Sequence, residues 1–168
     1  MNALNRNCDI VGMANFAPTI NTRGCIYTYQ DGLVLRSTYH VLYLYTNYLG
    51  DVVRNAHCQD GKQISVLNRG GAKEIVDEVD VCVTEFSDRP GMSIALVNKS
   101  PDDFSEVQLE FEAQGEVKGF YICGETTSSY NDIGRTEVEI QAEALGTFRQ
   151  GMNIRLRPHS VEIIRIGC

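Results

Sequence analysis

The 168-residue chain has no tryptophan, and no glutamate precedes Glu74. It also lacks any apolar run near the ~20 residues that a membrane-spanning helix needs. Its first residues, "MNALNRNCDIVG", put an arginine and an aspartate where the apolar stretch of a secretory signal would run, so neither a leader nor a membrane association is expected. There is no G-x-G-x-x-G and no P-loop. The three histidines, His40, His57 and His159, show no metal-ligand spacing, and no metal or cofactor is expected. Clusters of Lys and Arg are missing too, and with a net charge of −7 this argues against a nucleic-acid partner or an anionic surface. The six cysteines (Cys8, Cys25, Cys58, Cys82, Cys123, Cys168) include no C-x-x-C pair. Scattered this way, with no secretory signal, they read as reduced thiols of a cytoplasmic protein.

What is present suffices for a core. Hydrophobic residues make up 43% of the chain and charged residues 22%, ordinary values for a globular protein. The length allows one domain, or one domain with an appendage. Four of the 15 basic and four of the 22 acidic side chains lie in residues 1–60, so the whole net charge falls in the remainder. That asymmetry suggests two pieces of different character.

Along the first piece, "NALNRNCD" reads as the tail of a helix. "DIVGMANFA" is a short apolar run, consistent with a buried strand that stops at Pro18 and the polar "TINTRG". "CIYTYQDGLVL" alternates around Asp31-Gly32 and suggests an irregular hairpin. "STYHVLYLYTNYLG" is the clearest helix. Ser37 or Thr38 is placed to cap it, and Gly50 stands where a left-handed C-terminal residue is wanted. Val41, Leu42, Leu44, Tyr45, Tyr48 and Leu49 form one broad apolar stripe, which calls for a large partner surface.

From Asp51 the pattern turns to short β-branched runs: "VVRNAHC", "VDVCVTEF", "MSIALVN", "EVQLEFEA", "VKGFYICG", "TEVEIQAEAL", "MNIRLR" and "SVEIIRI". Turn residues separate them, as in "SDRPG" and "NKSPDD", which predicts an antiparallel β-sandwich or jelly roll. "SSYNDIGR" reads as a surface loop, and residues 61–78 show no clear element. The expected organisation is a strand-loop-helix over 1–50 and a β domain over 51–168. A lone strand-loop-helix cannot bury an aromatic stripe, and its natural setting is the end of a (β/α)8 barrel.

No active site assembles from these residues. Glycoside hydrolysis by retention needs two carboxyl groups about 5 Å apart on a rigid scaffold. The acids of residues 1–60 are only Asp9, Asp31, Asp51 and Asp60, and the later glutamates sit on wet strand faces or in turns. Cys25 or Cys58 could be paired with His40 or His57, but adjacent His57 and Cys58 would point to opposite faces of a strand. His159, beside Pro158, reads as a turn residue.

The order of "NRNCDIVGMANFAPTINTRGCIYTYQDGLVLRSTYHVLYLY" resembles the end of the catalytic barrel in α-L-arabinofuranosidases of glycoside hydrolase family 51. "SIALVNKS" and "IRLRPHSVEIIRI" are similar to that family's C-terminal jelly-roll domain. The resemblance implies release of terminal α-L-arabinofuranosyl groups from arabinan or arabinoxylan by retention. One glutamate would be acid/base and another the nucleophile, both on earlier barrel strands with no matching position in this chain. It therefore implies no catalytic residue here and no activity of this chain alone. Asn15, Asn21 and Arg23 remain as sugar-side or loop-structuring residues, while Pro18 stands where many relatives carry a substrate-contacting glutamine. The implied partners are an arabinose-containing oligosaccharide and the missing catalytic barrel, or self-association through the tyrosine-rich helix. The alternative is a non-catalytic interaction or carbohydrate-binding module, which would want an exposed aromatic platform on the β domain.

Overall fold

Two strands explain most of the architecture: "MSIALVN" and "VEIIRI" are apolar at both even and odd positions, so they must be covered on both faces. The computed structural model describes residues 1–167; Cys168, one of the six thiols, lies outside the described residues. The chain runs α1 (Asn2–Arg6), β1 (Ile26–Tyr29), β2 (Gly32–Leu35), α2 (Ser37–Tyr48), β3 (Val52–Arg54), β4 (Gln63–Leu67), β5 (Lys73–Asp77), β6 (Val79–Glu85), β7 (Met92–Asn98), β8 (Ser105–Leu109), β9 (Glu116–Ile122), β10 (Gln141–Thr147), β11 (Met152–Leu156) and β12 (Val161–Ile166).

A six-stranded antiparallel sheet has the order β10-β9-β12-β7-β6-β3. The last strand is thus inserted between β7 and β9, with Ile164 opposite both Ile94 and Gly119. On one face, Ile94, Leu96, Val117, Ile164 and Ile166 meet Leu109, Ile154 and Leu156 of the separate β8–β11 pair. On the other, Cys82, Ala95, Ile122 and Ile163 meet Leu44 and Tyr45 of α2. The mainly β, antiparallel sandwich expected from the pattern is the fold observed.

The tyrosine-rich helix finds its large partner surface within the chain. Leu44 and Tyr45 are buried, and Tyr48 stacks on Phe120 with centroids 3.9 Å apart. Val41, Leu42 and Leu49 are half-buried, so the whole stripe is at least partly covered, while Tyr43 outside it stays 40% exposed. Two details of this helix differ from expectation. Arg36 is its N-cap and no side chain caps it, because Ser37 and Thr38 are already inside the first turn. Gly50 is not left-handed; it is needed because a Cβ there would collide with the Glu85 carbonyl, and its N–H donates to Thr84 Oγ1 (2.8 Å).

Residues 10–17 do not form the buried strand the apolar run suggested. They are irregular and mostly exposed, with Ile10 at 78% and Met13 at 79%, and among the described residues no strand pairs with them to take up their backbone hydrogen bonds. The hairpin turn sits one residue early, at Gln30–Asp31, with Gly32 pairing Tyr29. β3 ends at Arg54, so His57 and Cys58 lie outside any strand. β10 begins only at Gln141, whereas "TEVEI" before it runs irregularly across the face of α2, with Val138 buried there. The unreadable stretch holds β4 and β5, a hairpin closed by Asn68 Oδ1 accepting from Gly70 N–H (2.9 Å) and Ala72 N–H (3.0 Å).

Candidate functional site

The polar loop after Pro18 is strapped from within. Asn21 adopts a left-handed conformation (φ 56°), which Asn tolerates. Its Oδ1 accepts from Thr28 N–H (2.8 Å) and Thr28 Oγ1 (3.0 Å), while its own N–H donates to Ile26 O (2.7 Å). Arg36 Nη1 donates to the carbonyls of Thr22 (2.9 Å) and Gly24 (3.1 Å). Asn21 is therefore spent on the loop itself, whereas Arg36 commits its Nη1 to the loop and also lines the cleft beside it. The Arg23 guanidinium makes no hydrogen bond or ion pair among the described residues.

Arg23 borders a cleft of about 390 Å³ whose second wall is the start of α2, at Ser37 and Thr38. The third wall comes from the β domain, at Tyr130 and Asp132. Buried Asn131 locks that loop in place. Its Nδ2 donates to Leu35 O (2.8 Å) and Val138 O (2.7 Å), and its Oδ1 accepts from Glu137 N–H and Val138 N–H (both 2.9 Å). All four hydrogen-bonding capacities of the amide are met, tying the β-domain loop to Leu35 at the end of β2. The Tyr130 ring is 47% exposed and lies under the Arg135 guanidinium, 4.0 Å from its centroid. Arg135 Nε in turn donates to Glu137 Oε1 (2.6 Å). That contact, first among the causes, holds the Glu137 carboxyl below its usual range.

Of the three residues implied by the resemblance, only Arg23 reaches the cleft. Asn15 is exposed on the irregular segment, with its Nδ2 3.6 Å from Met13 Sδ. Asn21 serves the loop. Tyr130 and Asp132 were hidden in "SSYNDIGR", which carries turn chemistry but no sign of which loop it meets. The one available clue was Tyr130 itself, an aromatic residue in an otherwise small and polar stretch.

Among the described residues neither Cys25 nor Cys58 is paired with His40 or His57. His57 is exposed, and the contact found is Cys123 Sγ to His159 Nε2 at 3.9 Å. Burial pushes the Cys58, Cys82 and Cys123 thiols up, away from the reactive thiolate. His159 is a turn residue (φ 41°) whose ring nitrogens lie 2.7 Å from Pro101 O and 3.1 Å from Gly124 O. Among the described residues no three His, Cys, Asp or Glu side chains gather as metal ligands, and no helix is long and apolar enough to cross a membrane.

The family description "Alpha-L-arabinofuranosidase C-terminal domain" matches residues 1–160. The chain belongs to the α-L-arabinofuranosidase C-terminal domain family. Among similar proteins, the probable alpha-L-arabinofuranosidase C of Aspergillus clavatus is 30% identical over 143 residues, covering 83% of this chain and 28% of the relative. The alpha-L-arabinofuranosidase C of Emericella nidulans is 26% identical over 140 residues, 82% of this chain and 27% of the relative. The chain thus spans little more than a quarter of these relatives. The Thermotoga maritima alpha-L-arabinofuranosidase, solved as an arabinose complex, superposes with a TM-score of 0.84 at 24% identity, covering 96% of this chain and 35% of that one. The GH51 enzyme of Thermotoga petrophila gives 0.85 at 22%, over 98% and 36%. These structural likenesses show the shared fold.

Proposed function

We propose that this chain is the C-terminal part of an α-L-arabinofuranosidase, an enzyme that releases terminal α-L-arabinofuranosyl groups from arabinan or arabinoxylan. The observation that carries the reading is the match over residues 1–160, which begins ahead of the β domain and takes in the segment at 10–20. There Ile10, Met13, Phe16 and Ile20 stand exposed in succession, the side chains a barrel's neighbouring strands and helices would cover. Residues 1–50 then act as the closing βα element and 51–168 as the β domain, with α2 shared between the two because its inner face packs on the sheet. The missing barrel is the first partner. Self-association through exposed Tyr43 and the 10–20 segment is the second. The free thiols Cys8, Cys25, Cys58, Cys82 and Cys123 suit a reducing, cytoplasmic setting.

In this reading Asn15, Asn21 and Arg23 lie on the sugar side, Asn21 by shaping the loop and Arg23 by reaching outward. The two glutamates of a retaining mechanism come from the barrel, and the chain by itself does not turn over substrate. The codons in frame ahead of Met1 test this. A barrel with two suitably spaced glutamates is expected; a terminated, unrelated gene there sinks the reading in favour of a stand-alone module. Exposed Tyr130 is the observation that favours carbohydrate binding by the β domain itself.

A further inference from the structure

We infer that the outer edge of β5 is a self-pairing surface, on which a second copy of this chain docks its own β5 antiparallel about a two-fold axis at Ile75. The inference is independent of the arabinofuranosidase reading. β4 and β5 pair with each other and with no other strand among the described residues. A two-stranded hairpin is marginal by itself and gains stability from further strands. This one also leaves apolar side chains in water: Leu67 is 70% exposed and Ile75 66%.

The hydrogen bonds at the two ends of the hairpin fix which backbone groups point outward. Asn68 N–H donates to Ala72 O (2.9 Å), and Glu78 N–H donates to Lys62 O (2.8 Å). Between these bonded pairs the register sets Leu67 opposite Lys73, Ser65 opposite Ile75 and Gln63 opposite Asp77. Bonded and non-bonded pairs alternate in an antiparallel ladder, so these three are the non-bonded ones. The N–H and C=O groups of Lys73, Ile75 and Asp77 therefore point away from β4, and they find no backbone partner among the described residues.

Pairing β5 with itself about Ile75 satisfies that edge in one register. Ile75 meets Ile75 of the second copy, and Lys73 meets Asp77 at each end. All three residues belong to the outward-pointing set, so each of their N–H and C=O groups gains a partner across the axis. Opposite charges face each other twice, which stabilises cross-strand pairs. Lys73 makes no ion pair among the described residues. Asp77 Oδ1 accepts from Gln63 Nε2 (3.1 Å), which leaves Oδ2 for the lysine. Sliding the register by two residues toward the turn would set Glu74 against Glu74, so charge selects the register. The outward residues of β4, Gln63, Ser65 and Leu67, offer no such match. The edges of the six-stranded sheet are protected in familiar ways: β3 has only three residues, and β10 is broken by a bulge between Ala144 and Gly146. β5 has five residues and neither proline nor bulge.

Sedimentation velocity of the intact chain at concentrations up to about 1 mM tests the inference, since this range reveals dissociation constants as weak as about 1 mM. A monomer–dimer equilibrium is expected, with amide exchange at Lys73, Ile75 and Asp77 slowing as dimer forms. Lys73→Asp and Asp77→Lys each set like charges opposite one another and weaken association about tenfold or more. Mixed in equal amounts, the two variants restore opposite charges at both positions and recover the dimer. Association through Tyr43 or the 10–20 segment would show no such reciprocity. Amide spectra of the variants establish that both are folded. A chain that stays monomeric throughout overturns the self-pairing and leaves the edge to a different partner. A dimer that both variants leave unchanged overturns it too, as do folded variants that fail to associate when mixed.

Discussion

Tyr45 Oη donates a hydrogen bond to Asn2 Oδ1 in the buried space between the two helices and the sheet. Asn2 Nδ2 in turn donates to Asp80 O (3.2 Å), so this one side chain links α1, α2 and β6. Asn2 is only 2% exposed and Tyr45 6%. Removing the phenol oxygen strands a buried acceptor. Tyr45→Phe should therefore lower stability by about 1–3 kcal/mol, read as a lower urea midpoint with unchanged slope.

The same residue sets an alkaline limit. Burial, foremost among the causes, pushes the Tyr45 phenol well above its ordinary value, so the fold favours the neutral form. The stability this gives is fully present below the unfolded phenol's pKa of about 10 and is lost as pH rises beyond it. Wild-type stability should fall on titration from pH 9 to 11 more steeply than that of Tyr45→Phe; parallel curves would contradict the assignment.

Glu78 sets an acid limit. It is 3% exposed, and Ser105 Oγ donates to its Oε1 at 2.6 Å while Lys62 Nζ lies 2.9 Å from Oε2. Burial alone would raise this carboxyl, yet the bonds from Ser105 and Lys62 outweigh it and hold it below its usual range. Its contribution is present above the unfolded carboxyl's pKa of about 4.3 and is lost as pH falls through the lower folded value. Glu78→Gln should destabilise at pH 7 by about 1–3 kcal/mol. In acid-unfolding curves the gap between the two proteins should close below pH ~4.

Glu162 tests the other buried carboxylate. It is 2% exposed and is held by the Arg157 N–H (2.9 Å), the Ser160 hydroxyl (3.2 Å) and the Arg157 guanidinium (3.3 Å). Arg157 also stacks over Tyr121, with its Cζ 3.5 Å from the ring centroid. Arg157→Met leaves the carboxylate without its counter-charge and should cost about 3–5 kcal/mol. Adding Glu162→Gln should recover part of that loss in thermal melts, because the uncompensated charge goes with it.

The order in which structure emerged from the residues follows from what each signal depends on. β7 matches "MSIALVN" residue for residue, because both of its faces are buried and the run ends at Pro90-Gly91 and Asn98. β4 and β5 were unreadable since Gln63, Lys73, Glu74 and Asp77 interrupt the alternation, although Gly70-Gly71 marked the turn. The 10–17 segment has the composition of a strand, but a strand also needs neighbours to pair with, and residue pattern alone cannot supply them. Arg23 is identifiable as a polar residue after an apolar run. Its counterpart Tyr130 is not, because more than 100 residues separate the two and they are brought together by tertiary contacts such as the Asn131 amide on Leu35 O and Val138 against α2.

Release of 4-nitrophenol from 4-nitrophenyl α-L-arabinofuranoside by the purified chain alone is the most direct test of the central claim, that the chain carries the sugar-side wall of an arabinofuranosidase but not its catalytic carboxylates. The account predicts release no faster than in buffer. Turnover above buffer that persists through repurification, and that scales with the concentration of the chain, would contradict it.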